Sequence, residues 1–169
     1  NGRGLTMDQQ QDVKWRPENF IYTGGALEAP GEPVTPGVLS ALGLSVEGAG
    51  NDDPWAITEE IEGRRLAFAK WVAHERNPLT ARAFVNRIWQ HHFGQAIAAN
   101  PNNFGASGKK PTHPELLDWL AADFMENGWT LKRLHRLIMT SGTYLQASHH
   151  PEREYIAAKD PDNKLLAYF

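Results

Sequence analysis

The densest run of groups able to do chemistry is Asn86-Arg-Ile-Trp-Gln-His-His92. Arg87 and His91 are four residues apart, so on a helix they stack on one flank. A guanidinium and an imidazole placed that way would take a carboxylate, phosphate or sulfate. Asn86 and Gln90 form the adjacent polar row with Arg82. His113 stands where another helix begins, after a long loop, and helix N-termini favour anions. The ligand-binding candidates are therefore Asn86, Arg87, Gln90, His91 and His113. Trp89, between these polar groups, is the candidate sugar platform if its ring is exposed. Each has a plainer reading: a solvated flank for Arg87 and His91, a capping neighbour for His113, core packing for Trp89.

His92 and His135 fall on apolar rows instead. A neutral histidine bonded to backbone or carboxylate is favoured there over a metal ligand. A metal site needs at least three converging ligands, and only one of these lies on each helix; no metal is expected. His149-His150 reads as an exposed loop pair. Glu115 with Asp118, and Asp123 with Glu126, have i, i+3 spacing. General acid–base work would need two carboxylates facing one cleft, whereas Glu115 reads as part of a capping box and the others as a wet helix face. There is no Gly-x-Ser-x-Gly, phosphate-binding loop, dinucleotide fingerprint or His-Glu-x-x-His. No catalytic residue can be named. Lys132, Arg133 and Arg136 on a short helix suggest helix-turn-helix binding of nucleic acid, but that helix has no Asn, Gln or Ser facing out to read bases, so nucleic acid is disfavoured.

These residues need helices to position them. Ala81, Phe84, Val85, Ile88 and His92 make one apolar stripe at helical spacing, with Trp89 and Phe93 widening it. Asn77-Pro78 opens the helix and Gly94 follows its end. An earlier helix covers 63–75, with Leu66, Phe68, Trp71 and Val72 spread so widely that burial on most sides is expected. Residues 95–111 form a long loop, of the length that is functional or packed as an Ω-loop. Thr112, Pro114 and Glu115 predict a capped helix start, with Leu116, Leu117, Leu120, Ala121 and Phe124 inward to about Asn127. Thr130 caps the next helix, where Leu131, Leu134, Leu137 and Ile138 face in. A short helix is expected at 152–158, and Asp160-Pro-Asp should start another. Before residue 63, Phe20-Ile21-Tyr22-Thr23 is the one strand expected. Pro30-Gly-Glu-Pro-Val-Thr-Pro-Gly37 reads as rigid and extended, and residues 1–19 as a frayed start or linker. The fold class is mainly α: a compact helical domain of about four main helices at 63–169, behind an extended, strand-poor, acidic lead-in at 1–62.

The chain has 169 residues, 41% hydrophobic and 22% charged, as for an ordinary globular protein. No apolar run approaches the ~20 residues of a membrane helix. Cysteine is absent, which excludes disulfides, zinc thiolates, haem attachment and a thiol nucleophile within this sequence. The net charge of −3 hides a division. Residues 1–62 hold 3 Lys/Arg against 11 Asp/Glu, and residues 63–150 hold 11 against 5. A basic surface can meet an anionic partner; the favoured reading is that acidic lead-in and basic body attract each other. The start at Asn1 and the closing Leu165-Leu-Ala-Tyr-Phe169 read as a piece of a longer protein.

Several stretches carry a resemblance. Arg64-Arg-Leu-Ala-Phe-Ala-Lys-Trp71, the run Val85-Asn-Arg-Ile-Trp-Gln-His-His-Phe-Gly94, His113-Pro-Glu-Leu-Leu-Asp-Trp-Leu120, Gly128-Trp-Thr-Leu-Lys-Arg-Leu-His-Arg-Leu-Ile138 and Asp160-Pro-Asp-Asn-Lys-Leu-Leu166 together resemble the PSD1 family of planctomycete proteins, the DUF1553 domain. Residues 63–169 resemble the N-terminal part of that domain, and residues 20–40 the segment that precedes it. The resemblance implies a large exported protein, periplasmic, at the cell surface or secreted. Its other modules often include a c-type-cytochrome-like domain, a second domain of unknown function (DUF1549) and a carbohydrate-binding-like module. The setting it implies is the use of complex, often sulfated, polysaccharide. It supplies no catalytic residues. With no Cys-x-x-Cys-His here, no cofactor is expected in this piece, and a c-type haem would belong to other parts of the polypeptide.

Two functions follow. The first is a structural or interaction module whose partners are other domains of its own polypeptide and an anionic polysaccharide. The second is a hydrolase acting on glycans through Asn86, Arg87, His91 and His113. Convergence of those four in a cleft favours the enzyme. Bonds from Asn86 and Arg87 to the 95–111 loop favour the structural role, which is the expected arrangement, since irregular backbone needs partners for its polar groups.

Overall fold

The computed structural model describes residues 18–58, 61–148 and 150–167. The expected frayed start lies almost wholly outside them, as does His149. The elements are strands β1 (Asn19–Tyr22) and β2 (Pro30–Val34), then helices α1 (Ile61–Val72), α2 (Pro78–Phe93), α3 (Pro114–Glu126), α4 (Leu131–Met139) and α5 (Arg153–Lys159). The fold is mainly α, as the periodicity indicates. The chain forms two compact units, residues 1–77 and 78–169.

In the first unit, β1 and β2 make an antiparallel pair, with Asn19 opposite Val34 and Tyr22 opposite Pro30. The sequence offers one strand here and the structure has two. Proline demotes Pro30–Val34 as a strand because it cannot donate to a ladder. In a two-stranded sheet each strand has a free edge, and β2, exposed along its length, tolerates two prolines. Residues 36–57 then build a small core of Leu44, Val46, Ile57 and Trp71, flanked by Val38 and Leu42. Trp71 on α1 fixes it. Its indole N–H donates to the Leu44 carbonyl at 2.8 Å, so burial satisfies its polar group. Lys70 pairs with Glu47 beside it, holding the Glu47 carboxyl below its ordinary pKa through the hydrogen bond and the ammonium charge. Asn77 is buried and donates to the Trp71 carbonyl at 3.0 Å. The expectation that α1 is buried on most sides is not met: Leu66 is 61% and Phe68 49% exposed. Ala67, Trp71 and Val72 pack on the core of the 36–57 segment and Lys70 pairs with its Glu47, but the segment is too short to surround a helix.

The second unit is a helical cluster in which α2 packs against α3 and α4. Its core joins Ala81, Val85 and Trp89 of α2, Leu117, Leu120, Ala121 and Phe124 of α3, Leu134 and Ile138 of α4, and Ile97 and Ala98 of the loop. Burying a side chain such as Val85, Leu134 or Ile138 stabilises by roughly 1.5–3 kcal/mol. The buried arc of α2 is rotated from the expected stripe. Phe84 is 49% exposed, while Asn86 is fully buried, because the loop, rather than a third helix, covers that side. Trp119 on α3 is 55% exposed and is no core residue.

Two helix starts differ from expectation. His113, not Thr112, precedes α3, and no side chain caps that end. Thr112 faces backwards, with its N–H and hydroxyl both donating to the Ile97 carbonyl. Thr130 precedes α4 without capping it; its hydroxyl donates to the Asn127 carbonyl. Between these helices Gly128 has φ +70° and Trp129 φ +59°. The Trp129 N–H reaches back to the Phe124 carbonyl at 2.9 Å, the six-to-one bond of a Schellman ending. The helix expected from Asp160 is absent among the described residues. Asp160 is buried, and its carboxylate accepts the N–H groups of Lys164 and Leu165 in a turn.

Candidate functional site

The Ω-loop at 95–111 decides what the polar residues of α2 do. Gly94, at φ +77°, turns the chain out of the helix. Ala96, Ile97 and Ala98 then plunge into the core at 8%, 2% and 2% exposure. Three buried residues in irregular conformation carry backbone groups that no ladder satisfies. Asn86 supplies the partners. Its side-chain amide donates to the Ala98 carbonyl at 3.1 Å, and its carbonyl oxygen accepts the Ala98 N–H at 2.8 Å. A primary amide is the side chain able to both donate and accept in this way. Thr112 closes the loop on the Ile97 carbonyl. At its far end Asn103 bonds the Gly105 N–H and the Ser107 hydroxyl. A Cβ on Gly108 would lie 2.1 Å from the Asn103 carbonyl oxygen, so only glycine fits.

The other candidates disperse. Arg87 donates to the Asn102 side chain at 2.8 Å, so it too reaches the loop, through a side chain rather than the backbone. Gln90 is half-buried and His91 exposed. His113 is bonded to the Thr112 hydroxyl at 3.0 Å. Among the described residues no side-chain hydrogen bond joins any two of Asn86, Arg87, Gln90, His91 and His113. Trp89 is 6% exposed and stacked on Phe93, ring centroids 4.1 Å apart. It is a core aromatic and lacks the open face of a sugar platform. One carboxylate of each spaced pair is held by an arginine: Asp118 pairs with Arg82, and Asp123 takes Arg133 through two bonds of 2.7 and 2.9 Å. Arg133 is thereby removed from the basic row of α4. A shallow groove lined by His150 to Tyr155 contains none of the candidates.

One constellation was not foreseen. His92 Nε2 on α2 and His135 Nδ1 on α4 lie 2.8 Å apart. The two histidines placed separately on apolar rows are each other's partner. The Tyr144 ring meets His92 edge-on at 5.5 Å and Phe93 at 5.7 Å. Burial, then the charges of His135 and His91, lower the His92 pKa from its ordinary 6.5. The signal in the sequence was the pair of inward-facing histidines; their 43-residue separation concealed the contact. Among the described residues no group of three or more His, Cys, Asp or Glu side chains could hold a metal ion, and no helix is long and apolar enough to cross a membrane.

The family model of PSD1, a protein of unknown function (DUF1553), matches residues 64–169. No curated protein matches the chain, and no solved structure does. The match takes in every described helix of the second unit and most of α1. The chain belongs to the PSD1 (DUF1553) family.

Proposed function

We propose that this PSD1-family domain is a non-catalytic structural or interaction module of an exported multidomain protein engaged with polysaccharide. The observation that carries the non-catalytic part is the use of Asn86. The residue at the centre of the most active-site-like run has both ends of its amide committed to the Ala98 backbone. Arg87 is engaged by the same loop. A general acid–base pair or a substrate clamp needs groups converging on one cleft; here Asn86 and Arg87 are engaged by the loop, and no side-chain bond joins them to His91 or His113. Export, and a partner among anionic polysaccharides or the other domains of the polypeptide, rest on the family resemblance alone. So does any c-type haem elsewhere in the polypeptide.

The competing reading is a glycan hydrolase working through Asn86, Arg87, His91 and His113. A glycan-array and substrate screen of the full-length protein separates the two, comparing wild type with Arg87→Ala and His91→Ala. Any glycan binding or turnover is expected to persist in both variants. Loss of turnover in either one, with an unchanged circular dichroism spectrum and melting temperature, overturns the non-catalytic reading.

A further inference from the structure

The contact between α2 and α4 is closed by an imidazole–imidazole bond, and such a bond has a defined proton capacity. One hydrogen occupies the space between His92 Nε2 and His135 Nδ1, donated by either ring. In the neutral pair each ring has its single proton, one of them in the bond. A first added proton goes to an outer nitrogen and leaves the bond intact. A second requires both facing nitrogens to carry hydrogen, and two N–H groups cannot approach to 2.8 Å. The doubly charged pair must open.

The surroundings set how readily this happens. From α2, His91 is the neighbouring titratable group and its charge opposes protonation of His92. From α4, Arg136 adjoins His135 in sequence and is exposed. From the segment after α4, Tyr144 presents its ring to His92. Among the described residues no carboxylate bonds either imidazole. A carboxylate would have favoured the charged forms. The Tyr144 ring stands against His92 instead.

We propose that the His92–His135 bond is a proton-operated clasp, which holds α4 and the Tyr144 segment against the end of α2 at neutral pH and releases them in acid. Asn86 keeps the loop in place throughout, since an amide does not titrate in this range. The direction follows from linkage. With its folded pKa below the ordinary 6.5, His92 binds protons less readily in the folded chain than in the unfolded one. Its contribution to stability is complete above 6.5, is lost as pH falls from there to the folded value, and is level below that.

Amide hydrogen exchange of the whole chain between pH 7.5 and 5, divided by intrinsic rates, tests this. The α4 amides should lose protection in acid by about tenfold for each unit by which the His92 pKa is lowered, while Ala98 stays protected. In His92→Gln and His135→Gln the acid-dependent part of the loss should vanish. Imidazole nitrogen NMR of wild type gives an independent reading that needs no variant: a hydrogen-bonded His92 Nε2 is expected at pH 7.5 and its loss at pH 5. Protection of α4 that is flat with pH, an acid loss of equal size in the variants, or a His92 Nε2 hydrogen bond that persists at pH 5 overturns the clasp.

Discussion

Helix α2 is fastened near its middle and at its end, and the two fastenings differ in kind. At Asn86 a side chain that does not titrate bonds the backbone of a loop, fully buried. At His92 a side chain that titrates bonds another side chain, half-buried, on a separate helix. The first satisfies polar groups that have no alternative partner, so its loss exposes a desolvation cost. The second joins two groups that water can also serve. One helix thus carries a permanent attachment and a conditional one, less than two turns apart.

The sharpest way to break this contrast is Asn86→Ala. It strands a buried N–H and a buried carbonyl at Ala98, and each unsatisfied group costs about 1–3 kcal/mol. A loss of roughly 2–6 kcal/mol is expected in urea unfolding, equal at pH 7.5 and 5.5. Asn86→Asp should do no better, since a carboxylate keeps the acceptor but loses the donor and buries a charge. A pH-dependent effect of Asn86→Ala would erase the distinction between the attachments.

Gly108→Ala probes the far end of the same loop. The added methyl collides with the Asn103 carbonyl oxygen, and overpacking of this kind costs about 1–3 kcal/mol. Because the collision lies outside the core, α3 and α4 should keep their wild-type exchange protection. Equal loss throughout the second unit would show that loop and helices unfold together.

Arg87→Ala should have the smallest effect. Its bond to Asn102 is exposed, and removing such a contact costs within about 1 kcal/mol. A loss matching that of Asn86→Ala in the same unfolding experiment would mean that Arg87 carries the loop.

How far these features were readable in the sequence depends on how local their causes are. Helical periodicity places α2, α3 and α4, because the apolar positions and the helix-ending Gly94 and Gly128 lie within a few residues of what they control. That α2's polar side chains serve the irregular loop also followed from the chain's own need for backbone partners. What failed was the choice of partner. Thr112 and Glu115 have the spelling of a capping box, yet Thr112 closes the loop on Ile97, and nothing in its immediate sequence announces that. The stripe through Ala81 and Ile88 points Phe84 inward; the loop draws burial toward Asn86 instead. Trp89 widens the apolar stripe yet stands among polar letters, so the sequence leaves core packing and a sugar platform both open; its burial against Phe93 decides for the core. The His92–His135 bond depends on how α2 and α4 cross, a tertiary quantity that no local pattern encodes.

The central claim is that Asn86 holds the loop rather than a substrate, and the Ala98 amide reports on it directly. Hydrogen exchange at neutral pH should find that N–H, in a loop with no secondary structure, protected as strongly as the amides around Val85, and should find the protection gone in Asn86→Ala. An Ala98 amide that exchanges at the rate of exposed loop positions such as Ala106 in wild type would contradict the account.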